Sequence, residues 1–393
     1  MNSHRFELTP MDTYLFRDGR PFEMRRARPL SPHPPAATLY GALRHMLLEQ
    51  YGVAYDAYRR NVVPEEIKEV LGPRDGIGAL RVAGPFLRYA GTTHLAWPAD
   101  LIAQKQYYLY QRPGMVAGGA SYPAGMSPLA LFQAGESSPF TGSVVSHESP
   151  DHLAASAWWA GEELSDYLLG KDFRAYAGAR VAKLEPHAGI TRQNETLTAA
   201  DGQLFTVDFT RLADGSCFEF AIEQGGELFP ACWNSSVGGE RRPFLLAKTE
   251  GHSSDALRDV IRSVIASQAK DGAVCFRLYL ATAAKFGRSW RPEIFAGECT
   301  WADNGITYRL ESAAMARGPV HSGWSYASGG ARSSIRTIPA GSVYFLSAHS
   351  ELDAEALAER IFERFWFQPG LLEDNNEDRK MGFARTLIGV WNQ

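Results

Sequence analysis

Residues Pro34–Tyr51 read PPAATLYGALRHMLLEQY. Proline restricts φ and donates no backbone hydrogen bond, so the two prolines predict an extended approach to a helix that begins near Ala36 to Thr38 and runs to about Tyr51. One face of this helix is apolar and carries Leu39, Leu43, Met46 and Leu47. A strand is predicted before it, at Arg5–Phe16. A strand followed by this helix opens a βαββαβ unit, although many α+β folds begin in the same way.

The loop between this strand and the helix is rich in arginine. It begins FRDGRPF at Phe16–Phe22, where an Asp-Gly pair and a proline predict a turn. Five arginines lie in Arg17–Arg28, here called the arginine segment, namely Arg17, Arg20, Arg25, Arg26 and Arg28. The planar guanidinium suits phosphate and flat base edges. The alternative is a solvated loop whose arginines pair with nearby acids.

Composition limits the function classes. The 393 residues indicate about two or three domains, and 45% hydrophobic with 21% charged residues indicate a globular protein. A net charge of -4 confines any nucleic-acid site to a local patch. The four cysteines lack CxxC spacing, which argues against structural zinc and a disulfide framework. No targeting segment or apolar span is visible, so we expect a reduced, cytoplasmic protein.

Patterning divides the chain into two sheet-and-helix units. Residues from about Val53 to Gly178 are rich in Gly, Pro, Tyr and Trp and are interpreted as an insertion with a helix near Asp151–Leu169. A hairpin is then predicted from strands at Ala179–Thr191 and Gln203–Leu212, because Asp201-Gly202 is a turn signal. Another short strand is expected at Cys217–Glu223.

The loop SVGGERRP, Ser236–Pro243, separates the two units and is called the glycine loop. After it, helices are predicted at Ser253–Lys270 and Asp353–Phe367. The strands predicted for this second unit are Val274–Ala281, Ile306–Leu310 and Gly341–Ser347. The chain ends KMGFARTLIGVWNQ, a further glycine-bearing turn that leads into a strand.

An ordered set of motifs resembles a known family. The motifs are FRDGRPF, PPAATLYGALR, GPFL with WPADL, AGITRQNETLTAADGQLF, VGGERR, SGWS, IPAGSVYF and GFARTLIGVW. The similarity runs from Phe6 to Trp391 apart from the aromatic insertion. Each motif is weak alone, but the ordered set is specific. The chain resembles the third subunit of the Cmr complex, the type III-B CRISPR effector, in the RAMP superfamily.

This resemblance implies an α+β fold of two fused ferredoxin-like (RRM-like) βαββαβ domains with glycine-rich loops. The first would span 1–245, with the insertion at about 53–178 and a thumb-like hairpin at about 188–205, and the second 246–393. The resemblance also implies a non-catalytic role, and we expect no cofactor and no metal. The expected partners are the 5′ handle of the CRISPR guide RNA, the large polymerase-like subunit and the backbone RAMP subunits, in antiviral defence.

Two departures from the family pattern affect these expectations. The last glycine loop of the family tends to read Gly-aromatic-Gly, whereas Ala384 follows Gly382-Phe383 here. The family often has a basic residue before Gly-Ile, where this chain has Pro186-His187-Ala188. These changes put close approach of RNA at the last loop in doubt and remove a permanent charge near the hairpin.

A binder of single-stranded RNA needs backbone cations, amides that can approach phosphates and flat side chains for bases. The alternatives for each candidate are ordinary ones: a plain turn for Gly238-Gly239, helix packing for Tyr40 and Arg44, and an exposed hairpin for Arg192. The predicted RNA-binding residues are Arg17, Arg20, Arg25, Arg28, Thr38, Tyr40, Arg44, Arg192, Gly238, Gly239, Arg241, Arg242, Gly382, Phe383 and Arg385.

Two other functions stay open from the residues. Relatives in the superfamily cleave RNA, and metal-independent cleavage needs a general base, for which His45 and His33 are the candidates. His45 is flanked by apolar residues and fits a packing role better. Asp18 occupies the loop in which backbone RAMP nucleases carry an aspartate, but its Asp-Gly turn is a sufficient structural reason. A pure assembly scaffold, with arginines facing acidic protein surfaces, is the third possibility.

Overall fold

The structure is a computed structural model of the chain. It describes residues 3–17, 26–27, 33–74, 76–96, 98–104, 107–110, 132–133, 158–159, 161–171, 174–176, 181–193, 195–196, 198–250, 256–287, 290–295, 299–315, 318, 320–322, 324–325 and 330–391. The described residues form α-helices at α1 (Ala36–Gln50), α2 (Tyr55–Arg59), α3 (Glu65–Leu71), α4 (Gly161–Leu168), α5 (Ala256–Ser267) and α6 (Ala354–Phe365). Within this part of the chain every helix is too short or too polar to span a bilayer.

The strands are mostly short and antiparallel. In chain order they are β1 (His4–Pro10), β2 (Arg26–Ala27), β3 (Arg81–Tyr89), β4 (Thr92–Ala96), β5 (Leu101–Gln104), β6 (Tyr107–Tyr110), β7 (Phe132–Gln133), β8 (Trp158–Trp159), β9 (Arg174–Tyr176), β10 (Ala182–Arg192), β11 (Ala199–Leu212), β12 (Ser216–Gln224), β13 (Cys232–Ser236), β14 (Pro243–Thr249), β15 (Ala273–Leu280), β16 (Thr300–Asp303), β17 (Ile306–Ala314), β18 (Val320–His321), β19 (Trp324–Ser325), β20 (Gly330–Ala331), β21 (Ile335–Arg336), β22 (Val343–His349) and β23 (Thr386–Val390). The fold is therefore mixed α and β, as predicted.

The chain divides into two compact units. The first comprises Met1–Gly91, Arg180–Glu250 and Pro319–Ile335, and the second comprises Thr92–Ala179, Gly251–Gly318 and Arg336–Gln393. Most of the stretch predicted as an insertion into the first domain therefore groups with the second unit. The pairing of β7 with β17 is one physical reason for this grouping.

The sheet of the first unit contains β13, β14, β1, β12 and β3 in that order, all antiparallel. Its core is aromatic, with the rings of Phe6 and Phe220 stacked at 5.8 Å. Helix α1 follows β1, and its buried positions include all four residues of the predicted apolar face. The helix prediction is confirmed to within one residue at its end.

The predicted first strand is wrong beyond Pro10. Strand β1 ends at Pro10. The chain then leaves the sheet, and Tyr14 forms an isolated antiparallel bridge with Thr210 of β11. Leu15 packs with Val207 and Phe209 in a small separate core. Thus the end of the predicted strand pairs with the hairpin.

The predicted hairpin is confirmed as β10 and β11, which pair over a long antiparallel register from Ala182↔Leu212 to Arg192↔Ala199. The predicted turn at Asp201-Gly202 is wrong, because both residues lie inside β11. The chain reverses between Gln193 and Thr198, where the Gln193 amide donates a hydrogen bond to the Thr198 carbonyl at 2.9 Å. Gly189 lies opposite Phe205 in this register. A Cβ at Gly189 would lie 2.4 Å from the Phe205 ring, so the missing side chain lets that ring cross the neighbouring strand.

The sheet of the second unit has the order β16, β17, β22, β15 and β23. The three strands predicted for this unit are confirmed as β15, β17 and β22, and the predicted final helix is confirmed as α6. Asp353 caps α6 by accepting a hydrogen bond from the Ala356 amide at 2.8 Å. Helix α5 is shorter than predicted within the described residues. Helix α4 covers the end of the helix predicted at Asp151–Leu169, and residues 151–157 lie outside the described residues.

Four strands in the main sheet of each unit share one spatial order. In the first unit it is β14, β1, β12, β3, and in the second it is β23, β15, β22, β17, so both read fourth, first, third, second along the chain. In the first unit every residue between β12 and β14 is described, and they form two 3-10 turns, at Gly226–Leu228 and Gly239–Arg241, and β13 instead of an α-helix. The complete βαββαβ pattern is therefore not present there.

Candidate nucleic-acid interface

The arginine segment is anchored at its start. Leu15 is 1% exposed and Phe16 is 2% exposed, so both side chains are buried. The amide of Gly239 donates a hydrogen bond to the Leu15 carbonyl at 2.9 Å. Arg17 follows directly and its side chain is exposed. The glycine loop therefore holds the point at which the arginine segment begins.

The arginine segment is also anchored near its other end. Strand β2 pairs in parallel with β11, with Arg26 opposite Thr206 and Ala27 opposite Val207. Arg20, Arg25 and Arg28 lie outside the described residues. The structure thus brings together three segments that the sequence analysis singled out separately: the arginine segment, the glycine loop and the hairpin.

The glycine loop has an unusual backbone. Gly238 has φ 82° and ψ -159°, and Glu240 and Arg241 have φ of 59° and 47°, in the left-handed region. A Cβ at Gly238 would lie 2.8 Å from the Leu15 carbonyl oxygen. Glycine is therefore required at position 238, because only a residue without a side chain lets the glycine loop lie this close to the backbone at Leu15. Glu240 and Arg241 are exposed at the tip of the loop.

Arg242 has a packing role that the sequence analysis missed. Its guanidinium carbon lies 4.2 Å from the centre of the Phe209 ring, and its Nη1 lies 3.9 Å from Asp12 Oδ2. Only 24% of the side chain is exposed. Arg242 therefore ties the glycine loop to the hairpin.

An ionic network at the base of the hairpin was also missed. Arg211 binds Glu185 at 2.7 Å and Asp12 at 3.0 Å, and His187 lies 3.0 Å from Glu185. The hydrogen bonds from Arg211 and then from His187 lower the pKa of Glu185 to about 2. The signal in the sequence was an arginine inside the apolar strand FTVDFTRL, facing an acid across the hairpin.

Helix α1 does not offer the predicted RNA contacts at Tyr40 and Arg44. Tyr40 is 2% exposed, and its hydroxyl donates a hydrogen bond to the Leu80 carbonyl, so its ring cannot stack on a base. Arg44 donates to the Pro73 carbonyl at 3.0 Å and contacts the Tyr58 hydroxyl. Helix packing, the alternative noted for both, is what the structure has.

Thr38 and Arg192 occupy the predicted elements. Thr38 lies in the first turn of α1, which has no side-chain cap and no acidic residue. The Thr38 amide already donates a hydrogen bond to the Pro35 carbonyl at 2.8 Å. Arg192 ends β10 opposite Ala199. Neither position is joined to the glycine loop by a described contact.

The last glycine loop is internal in this structure. Gly382 has φ 91°, and its carbonyl accepts a hydrogen bond from the Thr282 hydroxyl at 2.8 Å. Phe383 is 4% exposed and lies beneath the Lys285 ammonium, 4.2 Å from the ring centre. Arg385 is 2% exposed and donates to the Phe367 carbonyl. Burial therefore removes Gly382, Phe383 and Arg385 from the set of surface contacts.

The two candidate general bases lie in different environments. His45 is half exposed and forms an i,i+4 contact with Glu49 at 3.2 Å, so it is not the packing histidine that the sequence favoured. His33 packs against Phe218 with ring centres 5.5 Å apart, and burial lowers its pKa to about 3. Asp18 lies outside the described residues. In the part of the chain that is described, no group of His, Cys, Asp or Glu side chains is arranged to hold a metal ion.

Solved structures contain chains that are similar to this one. No curated protein is similar enough in sequence to count as a match. A chain in the solved structure described as "Cryo-EM structure of the Type III-B Cmr-beta bound to cognate target RNA and AMPPnP, state 1" is 12% identical, with a TM-score of 0.45 over 96% of this chain and 94% of that chain. A chain in "Crystal structure of Csm3-Csm4 subcomplex in the type III-A CRISPR-Cas interference complex" is 10% identical, with a TM-score of 0.34 over 87% of this chain and 92% of that chain.

The family comparison covers nearly the whole length of the chain. A family model described as "CRISPR-associated protein (Cas_Cmr3)" matches residues 6–391. This range includes the arginine segment, the glycine loop, the hairpin and both compact units. The chain therefore belongs to the CRISPR-associated protein family Cas_Cmr3.

Proposed function

We propose that the chain is a non-catalytic RNA-binding subunit of a type III-B CRISPR effector complex in the cytoplasm. In this proposal it binds the 5′ handle of the guide RNA and links the large polymerase-like subunit to the backbone RAMP subunits. Family membership supports the complex. The observation that carries the RNA contact is the double anchoring of the arginine segment, at Leu15 by the glycine loop and at Arg26–Ala27 by β11.

This anchoring suits a single-stranded ligand. A strand of RNA is bound through cations along its backbone and through protein surfaces that follow its path. The hairpin provides an extended support of that kind, and the arginine segment starts and ends beside it. Arg241, exposed next to the anchored start, adds a further cation. Arg17, Arg20 and Arg241 are therefore the contacts to test first.

The strand order supports the proposal that both units are ferredoxin-like. The four main-sheet strands compared above lie in the order fourth, first, third, second in each unit. A βαββαβ chain produces this order when each crossover is right-handed. In the first unit α1 is the crossover helix between β1 and β3, and in the second α6 lies between β22 and β23. We propose two fused ferredoxin-like domains, each of which lacks one crossover helix among the described residues: the first between β12 and β14, and the second between β15 and β17, where a 3-10 turn and β16 occur and α5 comes before β15.

The first prediction is that handle binding is electrostatic and local. Each arginine that neutralises a phosphate of a single strand releases counterions, so Arg17→Ala, Arg20→Ala and Arg241→Ala should each weaken handle binding. Each should also reduce the slope of log affinity against log salt concentration by roughly 0.7. The measurement is a salt titration of handle RNA binding to the assembled complex.

The matched control is Arg360→Ala. Arg360 lies on α6 in the second unit, where its side chain is 62% exposed and pairs with Glu363. This variant removes the same charge from the chain and should leave the slope unchanged. If the three test variants behave like Arg360→Ala, handle binding at the arginine segment is refuted.

The second prediction concerns the nuclease alternative. We expect no metal-independent cleavage of repeat RNA by the chain, and no effect of His45→Ala on handle binding. His45 is in contact with Glu49, and His33, with a pKa near 3, would be a far weaker base than one poised near neutral pH. The products of an incubation with labelled repeat RNA are to be examined for 2′,3′-cyclic ends. Such products, abolished by His45→Ala, would overturn the non-catalytic assignment.

A further inference from the structure

Six side chains form a closed ring of contacts where the hairpin meets the main sheet of the first unit. They come from the residues that follow β1, from both strands of the hairpin and from the residue before β14, and they are called the joint ring. Its members are Asp12, Glu185, His187, Phe209, Arg211 and Arg242. The segments that meet beside the arginine segment are therefore tied together by one set of contacts.

One half of the joint ring is ionic. Arg211 contacts Asp12 at 3.0 Å and Glu185 at 2.7 Å, so it links the exit of β1 to β10. His187 continues the chain of contacts at 3.0 Å from Glu185. Each of these four side chains is between 34% and 50% exposed. Because ion pairs this open to water add little to stability, the ionic half serves mainly to orient the hairpin.

The other half of the joint ring is aromatic. The centre of the His187 ring lies 4.7 Å from the centre of the Phe209 ring, and the Arg242 guanidinium carbon lies 4.2 Å from the same Phe209 centre. Arg242 Nη1 then lies 3.9 Å from Asp12 Oδ2, which closes the ring. The Arg242 Nε atom is buried and has no hydrogen-bond partner among the described residues. Because such a donor costs free energy, stability alone does not explain an arginine at this position.

The arginine segment is attached to two different parts of the first unit. Its start follows β1 and is held at Leu15 by the glycine loop, whereas its end pairs with β11 at Arg26–Ala27. Any rotation of the hairpin against the main sheet would therefore change the distance between the two attachments. The joint ring opposes this rotation, because it ties both hairpin strands to Asp12 and Arg242.

We propose that Arg211 and Arg242 are positioning residues, which hold the hairpin against the main sheet and thereby keep the arginine segment on one path. Both guanidinium groups already contact the Asp12 carboxylate, so their part is orientation and not phosphate binding. A segment held in its binding conformation loses less conformational freedom when it binds, which raises affinity. The inference rests on the proposed function and names the residues that preorganise its RNA site.

The first test measures the orientation of the hairpin in the full chain without RNA. Spin labels are attached at Glu66→Cys on α3 and Glu195→Cys in the hairpin turn, two exposed positions of the first unit, after the exposed and the half-buried native cysteines are replaced by serine. Pulsed electron paramagnetic resonance should give a narrow distribution of distances between the labels. Arg211→Met and Arg242→Met should each broaden it. The unfolding midpoint of Arg211→Met should stay close to that of the wild type, because the ion pairs it loses are exposed.

Arg88→Met is the matched control. The Arg88 side chain is 36% exposed, against 37% for Arg211, and it pairs with Glu7 inside the main sheet. This variant removes a similar ion pair from the same unit and should leave the distance distribution unchanged. An unchanged distribution in Arg211→Met, or equal broadening in Arg88→Met and Arg211→Met, would overturn the proposal.

The second test is a double-mutant cycle on handle binding by the assembled complex. Arg211→Met should lower handle affinity by about tenfold, within the range of coupling between residues of one network. In a chain that also carries Arg17→Ala and Arg20→Ala, the same change should have little further effect, because the segment that it positions no longer holds the RNA. Equal losses in both backgrounds, with a salt slope reduced by roughly 0.7, would make Arg211 an RNA contact and overturn its positioning role.

Together the two tests separate this inference from the proposed function. Wild-type handle binding by Arg17→Ala and Arg20→Ala, beside a broadened distribution in Arg211→Met, would refute the RNA site and leave the joint ring confirmed as the device that positions the hairpin. Weakened handle binding by Arg17→Ala and Arg20→Ala, beside a narrow distribution and wild-type affinity in Arg211→Met, would overturn the joint ring alone.

Discussion

Asp100→Ala is expected to lower the free energy of unfolding by about 3–5 kcal/mol, because it leaves the Arg277 charge buried without its partner. Both side chains are 0% exposed, and the Arg277 Nη1 atom lies 3.3 Å from Asp100 Oδ2. The Tyr167 hydroxyl donates to Asp100 Oδ1 at 2.9 Å, and the Arg277 guanidinium lies 3.9 Å from the centre of the Tyr167 ring. Urea denaturation followed by circular dichroism measures the loss.

The control combines Asp100→Ala with Arg277→Met. Replacing both members of a buried ion pair by apolar groups often costs little, so the double variant should be more stable than Asp100→Ala alone. Glu363→Ala removes an exposed pair with Arg360 and should cost less than about 1 kcal/mol. A double variant no more stable than Asp100→Ala would show that the loss comes from packing and not from the unpaired charge.

This ion pair joins residues that are far apart in the sequence, so local patterns do not predict it. Asp100 and Tyr167 come from the stretch predicted as an insertion, and Arg277 comes from β15, all within the second unit. The register places Gly389 beside Arg277, where a Cβ would lie 2.7 Å from the Arg277 Nε atom. The only local signals are a single arginine in the apolar strand AVCFRLYL and a glycine in TLIGV.

Elements with strong local patterns were predictable. The prolines before α1 and its apolar period each fix structure over a few neighbouring residues. Asp201-Gly202 did not mark the turn of the hairpin, because both residues lie inside β11. The burial and the contacts of single side chains were not predictable, because they depend on residues far away in the sequence. Tyr40 reaches Leu80, and Arg385 reaches Phe367, and both are buried by these contacts.

In the candidate site, too, the local elements were predictable and the long-range contacts between them were not. The sequence identified the arginine segment, the glycine loop and the hairpin as separate elements, but not that they meet. Their meeting depends on a bridge between Tyr14 and Thr210 and a hydrogen bond from Gly239 to Leu15, across about two hundred residues of chain. The sequence left open whether Gly238-Gly239 forms a plain turn or a surface for close approach of RNA.

Gly238→Ala is expected to lower the free energy of unfolding by about 2–6 kcal/mol. Its backbone, at φ 82° and ψ -159°, is in a region that non-glycine residues occupy at a cost of about 1–3 kcal/mol. The added Cβ would also lie 2.8 Å from both the Leu15 carbonyl oxygen and the Phe16 ring, and such overpacking costs about 1–3 kcal/mol. Because Leu15 precedes the arginine segment, handle binding should fall together with stability.

Gly215→Ala is the matched control for the backbone strain. Gly215 has φ 76°, and a Cβ there would have nothing within 4 Å, so this variant carries the cost of the positive φ without the contact and should lose only about 1 kcal/mol. Equal unfolding midpoints for Gly215→Ala and Gly238→Ala would contradict the predicted clash with Leu15.

Gly239→Ala separates a structural turn from a surface that RNA approaches. A Cβ at Gly239 would lie 3.3 Å from the Leu15 carbonyl oxygen, a tight contact that a small shift of the loop can relieve. We expect this variant to remain folded and to join the complex, while its handle affinity falls by more than its loss of stability explains, because the Cβ blocks a phosphate. Wild-type handle affinity in Gly239→Ala, measured in the assembled complex beside its unfolding midpoint, would show that the loop serves only to anchor Leu15.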